Sequence, residues 1–496
     1  MKKIILVLFV ITICTANQSV VLSKVWQIGG QSEYKFCSEI SNLINDNDTI
    51  IIESGLYEND KQVTWTKNNL LIKGTNPKPK LKAGSIISND NSNGKGIFVV
   101  RGNNTTIENI EFSDAKVQSR NGAGIRQEGS NLIVRDCIFT GNEMGILAGG
   151  TIPNCKILIE YCEFKNNGSI ENPGYQHNIY INFIDTLIFR FNYTQNAIAA
   201  GHEFKSRAYN NFIMYNRISN TNSTDSRNID LPNGGTALIV GNIIEQGQNS
   251  ENSNIIGYGL EGLKNPAPHN LWITNNTIVN RKSTGSFVHT AEGTEKLMLY
   301  NNVLVGAKTG GLIIGTPKEL DSSNNFINDD INSPKFANIN EFDYTPIADS
   351  PLIDNAIIIK GPSDKLQTIA GYELNPMFEY TEPSKRNINQ DKIRNYDINR
   401  LDIGAIEFES INSISEDDKN HSLVYPNPAT NKISFDLYNE NICDLFIYDI
   451  NGNLVLKINN YKSKDEIDIN NFKTGTYKVL MWNKMWNATQ CFMVVK

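Results

Sequence analysis

The stretch Leu271-Trp272-Ile273-Thr274-Asn275-Asn276-Thr277-Ile278 carries the pattern that decides the fold. It has apolar residues two positions apart, then an asparagine, then a further apolar residue. The same pattern recurs along the chain, with fixed positions at Ile110, Cys137, Cys162, Asn192, Asn216, Asn242, Asn276 and Asn302. These positions lie 24 to 34 residues apart, a period that is typical of repeat architectures. Apolar residues two apart indicate strands, and no helical period accompanies them.

Each repeat is therefore predicted to be one coil of a right-handed parallel β-helix, stacked about 4.8 Å from the next coil. The asparagines would form an internal ladder at a turn, where each amide bonds backbone groups and neighbouring amides. The amphipathic segment 36–44 is predicted to be a helix that caps the first coil. Coils are predicted to run from about residue 47 to about residue 315. The predicted class is thus all-β.

Length and charge limit the kinds of function that this chain can have. Its 496 residues allow more than one domain. With 46 basic and 53 acidic residues, the net charge of −7 argues against wide nucleic-acid or anionic-membrane surfaces. Residues 1–16, with Lys2 and Lys3 before an apolar run, are predicted to be a signal peptide. No other stretch has the roughly 20 apolar residues of a membrane span, so we expect an exported monomer.

Cysteines and histidines supply further candidates for covalent or metal chemistry. Export permits disulfides, and Cys137 and Cys162 occupy the ladder position of adjacent coils, close enough to bridge. We favour the interpretation that they are small buried ladder residues. His177 and His202 each precede a strand, one coil apart. Without a third ligand at suitable spacing, they are expected to cap turns by bonding backbone rather than to bind a metal.

Two segments that follow the coils read Ser350-Pro351-Leu352-Ile353-Asp354 and Asp402-Ile403-Gly404-Ala405-Ile406-Glu407. They resemble the closing segments of bacterial right-handed parallel β-helix proteins. The polar stretch between them is predicted to be a loop or cap extension. The β-helix, with its cap and closing segment, is accordingly assigned to residues 25–409, and a polar linker to residues 410–420.

The last segment of the chain, 421–496, has alternating strands and turn residues typical of a small antiparallel β-sandwich. Its strings Tyr425-Pro426-Asn427-Pro428 and Gly475-Thr476-Tyr477 resemble the C-terminal sorting domain of the type IX secretion system. The resemblance implies a Bacteroidetes-like outer membrane, contact with that secretion machinery, and a secreted or cell-surface protein that passes through the periplasm. A carbohydrate-binding sandwich is the alternative. Cys443 and Cys491 could pair in this segment.

A second strand follows the ladder strand in each coil, and its outward positions hold the candidate site. The densest polar string is Gly201-His202-Glu203-Phe204-Lys205-Ser206-Arg207. Since side chains alternate along a strand, the neighbours of apolar inward residues are predicted to point outward. The polar residues placed on this face are Arg126, Asn178, Tyr180, Glu203, Lys205, Arg207, Asn228 and Asp230. Side chains stacked about 4.8 Å apart suit an extended polymer.

The chain more broadly resembles β-helical polysaccharide lyases, although the signature motifs of calcium pectate lyases and polygalacturonases are not found in it. The resemblance implies an acidic glycan that contains uronate. For β-elimination, Lys205 is the candidate base, Arg207 or Arg126 the group that binds the substrate carboxylate, and Tyr180 the proton donor. Glu203 and Asp230 are predicted to hold Ca²⁺ if the reaction uses a metal. The predicted substrate-binding residues are Arg126, Asn178, His202, Asn228 and Tyr258.

Three alternatives to a lyase stay open at this point. Glu203 and Asp230 could be the carboxylate pair of a glycoside hydrolase, because adjacent coils place outward groups about 5 Å apart. The sheet could also bind a glycan without cleaving it. Finally, the charges could form structural ion pairs, Lys205 with Asp230 and Arg207 with Glu203, although surface pairs contribute only about 0–1 kcal/mol.

Overall fold

The structure is a computed structural model that describes residues 23–84, 87–89, 92–361, 367–383, 391–394, 400–408, 423–437, 442–449, 454–482 and 487–495. The predicted signal peptide, 1–16, and the predicted linker, 410–420, lie outside the described residues. The proposed pairing of Cys443 with Cys491 also depends on a side chain outside the described part. The domain boundaries drawn from the sequence therefore remain predictions.

Within the described residues, the larger part of the chain winds into three long parallel sheets. Successive coils contribute one strand to each sheet in turn, which confirms the predicted all-β parallel β-helix. The first sheet consists of Val25–Ile28, Thr49–Ile52, Leu71–Gly74, Thr105–Glu108, Leu132–Arg135, Ile152–Glu160, Ile184–Arg190, Asn210–Met214, Thr236–Val240, Asn270–Thr274, Lys296–Tyr300 and Glu319–Ser323. The second sheet consists of Leu56–Glu58, Lys80–Lys82, Glu111–Ser113, Ile138–Thr140, Glu163–Lys165, Tyr193–Gln195, Arg217–Ser219, Ile243–Gln246, Thr277–Asn280, Val303–Gly306 and Phe326–Asn328.

The third sheet carries the candidate site. Its strands are Val63–Trp65, Gly96–Val100, Ala123–Gln127, Met144–Ala148, Ile179–Ile181, Phe204–Ser206, Ile229–Leu231, Asn254–Tyr258, Ser286–Thr290 and Ile313–Ile314. Short antiparallel pairs lie outside the three sheets: Ser88–Asn89 with Ser92–Asn93, Phe336–Asn338 with Asp343–Pro346, and Thr368–Ile369 with Tyr372–Glu373. The last pair belongs to the stretch that the sequence predicted to be a loop or cap extension.

The asparagine ladder lies at the corner between the first and second sheets, as predicted. The side-chain Nδ2 of Asn242 donates to Oδ1 of Asn276 at 2.9 Å, and its Oδ1 accepts from the backbone N–H of Asn216 at 2.9 Å. The same contacts continue through Asn302 to Asn325, one coil beyond the predicted series. These side chains are buried over most of the ladder, so each amide replaces the water that its neighbours would otherwise need.

Apolar side chains fill the interior of the solenoid from Trp26 to Leu304. Rings of Phe112, Phe139 and Phe164 stack on successive coils with centroids 5.2 and 4.7 Å apart. Cys137 and Cys162 are buried at the ladder corner as free thiols, which confirms the interpretation that they are small ladder residues. The core is therefore a column of similar side chains, and stacking of like shapes keeps it closely packed.

The two ends of the solenoid differ from the sequence-based expectation. The predicted capping helix over 36–44 is only a 3-10 turn, Cys37–Glu39, although Ile40 and Ile44 are buried against the first coil. The coils also continue beyond residue 315, since Phe326–Asn328 pairs with Val303–Gly306. A second short turn, Ile339–Glu341, follows. Among the residues that the structure describes, no helical segment has the length and apolar character that a membrane crossing requires.

The last part of the chain forms small antiparallel sheets with a hydrophobic cluster of its own. One sheet comprises Leu423–Tyr425, Lys432–Asp436 and Ile467–Asp468; the other comprises Leu454–Lys462, Ile442–Asp449, Gly475–Trp482 and Asn487–Val494. Lys478 of this sandwich pairs with Asp391 and lies 4.9 Å from the ring centroid of Phe378. Phe378 in turn packs edge-on against Phe191 of the solenoid.

Candidate functional site

Backbone pairing on the third sheet brings one outward residue of each coil into a single row. Their inward neighbours, such as Ile179 and Phe204, are fully buried in the core, as the alternation of side chains requires. We call this set the outward row. Its members are Arg126, Leu147, Tyr180, Lys205, Asp230, Gly257 and His289.

Lys205 is the centre of an ionic cluster on this row. Its Nζ lies 3.2 Å from Oδ2 of Asp230 and 2.7 Å from Oε1 of Glu261. Asp230 also contacts Arg227, through Nη1 at 3.3 Å. The predicted pairing of Lys205 with Asp230 is thus confirmed, and Asp230 is surrounded by cations.

Arg207 connects this cluster to Tyr180. Its Nε donates to the phenol oxygen of Tyr180 at 3.0 Å, and its Nη1 donates to Oδ1 of Asn233 at 2.8 Å. A third contact joins Nη2 to Oε2 of Glu261 at 2.5 Å. The predicted ion pair of Arg207 with Glu203 is therefore wrong, since Glu261 takes that place. Tight hydrogen bonds to three different groups fix the guanidinium plane.

His177 and His202 stack on adjacent coils beside the cluster, with ring centroids 5.0 Å apart. Nδ1 of His177 accepts from the backbone N–H of His202, and Nδ1 of His202 accepts from that of Arg227. The predicted role as turn caps is confirmed. Burial is the first cause that lowers both histidine pKa values well below the usual value, and Lys205 adds repulsion. The neutral rings carry hydrogen on Nε2, and that atom of His202 lies 3.5 Å from Oδ2 of Asp230.

Glu203 and Asn178 were predicted to face outward, and this prediction is wrong. Both side chains are fully buried, and Nδ2 of Asn178 donates to Oε2 of Glu203 at 2.6 Å. Glu203 also accepts from Thr194 Oγ1 at 2.8 Å and from the backbone N–H of Ala197 at 2.7 Å. The two residues precede their strands, at the corner that joins the second and third sheets. Side-chain alternation holds within a strand and does not extend around such a corner.

Asn228 and Tyr258 are also inside the solenoid, against prediction. Nδ2 of Asn228 donates to the carbonyl of Glu245 at 2.9 Å, at the same corner as the two residues above. Tyr258 is two positions after the inward Ile256 and so shares its direction; the hydroxyl donates to the carbonyl of Gly235. Neither side chain reaches the outer face, so neither is placed to line a substrate subsite.

Glu203, which was predicted to face outward, forms part of a buried carboxyl pair. Its neighbour in the next coil, Asp225, accepts from Ser250 Oγ at 2.5 Å and also contacts Asn220. Burial, with repulsion from Asp225, raises the pKa of Glu203 well above its usual value, and burial raises the pKa of Asp225 to about 7. Because burial and mutual repulsion disfavour two negative charges side by side, the pair retains a proton near neutrality.

Next to the ionic cluster, a cavity of about 310 Å³ opens on the third sheet. Arg126 and Tyr180 line its floor, and Arg120 and Tyr175 line its rim. Nε of Arg126 has no hydrogen-bond partner although it is buried. Arg120 donates to the carbonyl of Glu171 at 2.8 Å, which ties the two rim loops together. Tyr175 is 74% exposed at the edge of the cavity.

The predicted Ca²⁺ site does not fit the arrangement. Glu203 is turned into the corner, whereas Asp230 contacts Lys205, Arg227 and His202. In the part of the chain that the structure describes, no group of three or more acidic, histidine or cysteine side chains is arranged to hold a metal ion. Calcium requires several oxygen ligands, and cations around its carboxylate would repel it.

Sequence reasoning thus places Lys205, Arg207, Tyr180, Asp230 and His202 together correctly, with Arg126 two coils from Tyr180 in the same row. It missed Arg120, Tyr175, Arg227 and Asn233, which lie on turns outside the strands. Asn233 belongs to the string Leu231-Pro232-Asn233-Gly234-Gly235, which predicts a tight turn. The sequence predicts the turn, but it does not predict which side chain of the turn contacts Arg207.

Comparison with known proteins establishes the localisation of this protein. Residues 423–495 match the family described as the secretion system C-terminal sorting domain. The chain carries a type IX sorting domain. It is therefore a secreted protein, found at the cell surface or outside the cell, and the sorting domain implies contact with the secretion machinery. The resemblance read from the strings at Tyr425 and Gly475 is confirmed.

The solenoid has weaker relationships. No curated protein matches the sequence. The chain is similar to a solved structure titled "Geobacillus virus E2 - ORF18", with 14% sequence identity, a TM-score of 0.36, and coverage of 59% of this chain and 56% of that chain. Similarity at this level carries no argument about activity. The resemblance of the solenoid to polysaccharide lyases stays a prediction.

Proposed function

We propose that this secreted protein binds an acidic polysaccharide along the third sheet and cleaves it next to a uronate by β-elimination. The observation that supports this best is the cavity beside Tyr180, where the buried Nε of Arg126 has no partner. A buried donor without a partner costs about 1–3 kcal/mol. A carboxylate in the cavity would remove that cost.

Arg126 is suited to bind such a carboxylate. Its guanidinium lies over Gly149, where a Cβ atom would stand 2.4 Å from Nη2. Burial lowers the pKa of Arg126, and Oε1 of Glu128 lies 3.8 Å from its Nε, which is too far for a hydrogen bond. An anionic ligand would restore favourable charge, and the planar guanidinium can bind two carboxylate oxygens at once. Tyr175, exposed at the rim, offers a ring face to a sugar.

Tyr180 is the group best placed for proton transfer. It lines the cavity and accepts a hydrogen bond from Nε of Arg207 at 3.0 Å. In β-elimination the C5–H bond and the C4–O bond break, a double bond forms, and the leaving oxygen gains a proton. Tyr180 would give that proton, and Arg207 would stabilise the charge that develops on the phenol oxygen.

The base is assigned to Lys205, one coil from Tyr180 in the outward row. A base must present a lone pair, whereas the amine of Lys205 donates to two carboxylates in the structure. Its part in the reaction therefore requires that the substrate opens these contacts and that the ammonium group loses a proton to solvent, so that the amine has a lone pair for the C5 proton. Neither histidine replaces it, because Nδ1 of each ring already accepts from backbone.

The saturated ionic contacts of Lys205 and Arg207 favour a second candidate, a surface that holds an anionic glycan without cleaving it. A glycoside hydrolase is a weaker proposal than either. Its carboxylate pair would be Glu203 and Asp230, and Glu203 is fully buried in the corner with Asn178 and Thr194.

Incubation of the secreted protein with alginate, polygalacturonate and glycosaminoglycans tests the proposal. We expect ultraviolet absorbance from unsaturated uronate to rise with at least one of these polymers. Arg126→Gln should abolish most of that rise, while Arg217→Gln, which changes an arginine of the second sheet, should leave it unchanged. Retention of a polymer without product would favour the binding surface. If no polymer of the panel is either cleaved or retained, the proposed function is wrong.

A further inference from the structure

The carboxylate of Glu261 divides its two oxygens between two cations. Oε1 lies 2.7 Å from Nζ of Lys205, and Oε2 lies 2.5 Å from Nη2 of Arg207. Partial burial alone would raise the pKa of Glu261, but hydrogen bonds from both cations lower it to about 2. The acid is thus a carboxylate throughout the physiological range. One carboxylate bound to two fixed cations is the geometry of a carboxylate-binding site.

The two cations do not depend on Glu261 for their position. Arg207 is held by Tyr180 and Asn233, and Lys205 is held by Asp230. Their side chains are only 13% and 11% exposed, whereas that of Glu261 is 41% exposed. The cations are therefore largely buried in the surface of the third sheet, and Glu261 is the solvent-facing member of the cluster.

The turn that carries Glu261 leaves room for its side chain to rotate away from the two cations. Gly259 and Gly262, on either side, have positive φ values of 75° and 90°. A Cβ atom at Gly262 would meet nothing within 4 Å, so open space lies beside the turn. The backbone N–H of Glu261 is bonded to the carbonyl of Pro232 at 3.1 Å. Exchange of one partly exposed ion pair for another costs little, since such pairs contribute about 0–1 kcal/mol.

We propose that Lys205 and Arg207 form a second carboxylate subsite, which Glu261 fills in the structure and vacates for a uronate carboxylate of the ligand. This inference rests on the proposed function and extends it. The polymer would be held at Arg126 and again at Lys205 and Arg207, farther along the same row. Release of Glu261 would exchange one carboxylate on the amine of Lys205 for another, so binding at this subsite does not depend on Lys205 acting as the base.

The test is the affinity of the full protein for an oligogalacturonate of defined length, measured by calorimetry at constant ionic strength. We expect Glu261→Ala to bind about fivefold more tightly than wild type, and Glu261→Gln to gain in the same direction. Glu292→Ala, which removes an exposed acid from the next turn, is the control for net charge and should bind like wild type. The double variant Glu261→Ala/Arg207→Gln should lose the gain.

Equal or weaker binding by both Glu261 variants, with melting temperatures near that of wild type, would overturn the inference. So would an equal gain in Glu292→Ala, since net charge would then explain the effect. Competition by sulfate but not by acetate, at equal ionic strength, would contradict the assignment to a carboxylate. These results do not depend on product formation. A gain in affinity without unsaturated product would therefore support the subsite while rejecting the lyase.

Discussion

The asparagine ladder and the outward row run along the same solenoid, yet they use polar residues in opposite ways. From Asn192 to Asn325 the ladder repeats one residue in every coil, and each amide bonds the next. Along the outward row, every coil presents a different side chain, from Arg126 through Tyr180 to Asp230.

The difference separates polar groups that stabilise a repeat from polar groups that act on a ligand. A ladder residue finds its partner in an identical neighbour, so its hydrogen bonds are complete inside the molecule. The first sheet shows an intermediate case, in which Glu108, Arg135, Glu160 and Arg190 pair in alternating sign along four coils. Arg126, whose buried Nε has no hydrogen-bond partner, breaks this rule on the outward row.

The largest effect should follow substitution of Tyr180. We expect Tyr180→Phe to lower the rate of unsaturated product formation about 10³-fold, because removal of a positioned proton donor typically costs a factor of this order. The melting temperature should change little, since the hydroxyl contacts only Arg207 among the groups described for it. Tyr193→Phe, on the second sheet, is the matched control. An active Tyr180→Phe enzyme would exclude Tyr180 from proton transfer.

Substitution in the asparagine ladder should instead lower the stability of the fold. Asn242→Ala removes donors to Ile213 and Asn276 and the acceptor for Asn216. Because the remaining groups are buried, we expect a loss of about 3 kcal/mol in the free energy of unfolding. Asn103→Ala, at an exposed turn, should cost less than about 0.5 kcal/mol. Denaturant unfolding measures both. Similar stability of the two variants would show that the ladder is not needed for the fold.

A glycine beneath the outward row offers a smaller, purely local change. Gly149→Ala places a methyl group 2.4 Å from Nη2 of Arg126, so the guanidinium must move. We expect affinity for oligogalacturonate to fall about fivefold, close to 1 kcal/mol, with little change in stability. Gly150→Ala is the neighbouring control, although its positive φ of 83° adds some backbone strain. Unchanged affinity in Gly149→Ala would argue against Arg126 as a ligand group.

The smallest effect concerns pH and the buried carboxyl pair. Because the pKa values of Glu203 and Asp225 are raised in the folded state, the folded protein binds more protons than the unfolded chain. Their contribution to stability is complete below the ordinary carboxyl range, about pH 4, and is lost as pH rises toward 7. We expect the melting temperature to fall between pH 5 and pH 8. Asp225→Asn should reduce that fall by about 2 °C, and an identical pH profile in the variant would contradict this origin.

The sequence predicts the fold well because the same pattern of apolar and ladder positions recurs in successive coils. A single Asn-x-Ile string is weak, but its recurrence at Asn216, Asn242 and Asn276 determines coil, corner and core together. The outward row was found for the same reason, since alternation around Phe204 and Ile229 places Lys205 and Asp230 on one face.

The site was predicted less well wherever the chain leaves its strands. The alternation of side chains assigned the wrong face to Glu203. The direction of this side chain is set by the conformation of the turn at the corner and not by the pleat of the strand. Glu261 and Asn233 reach Arg207 from turns, and turn conformation depends on local backbone angles that no period encodes. The period therefore predicts which coil a residue belongs to, but not the direction of a side chain at a corner.

The ladder also has a direction. The N–H of Asn192 is satisfied by Oδ1 of Asn216 in the following coil, and this order is the same through Asn302 and Asn325. The two ends of the solenoid are therefore unlike. Removal of a coil from the carboxyl-terminal side leaves a backbone N–H without its acceptor, whereas removal of a coil from the amino-terminal side leaves the Oδ1 of an asparagine without its donor and its Nδ2 without a carbonyl, as of Asn216 and Ile213 for Asn242. Shortened versions of the molecule should accordingly need a different capping residue at each end.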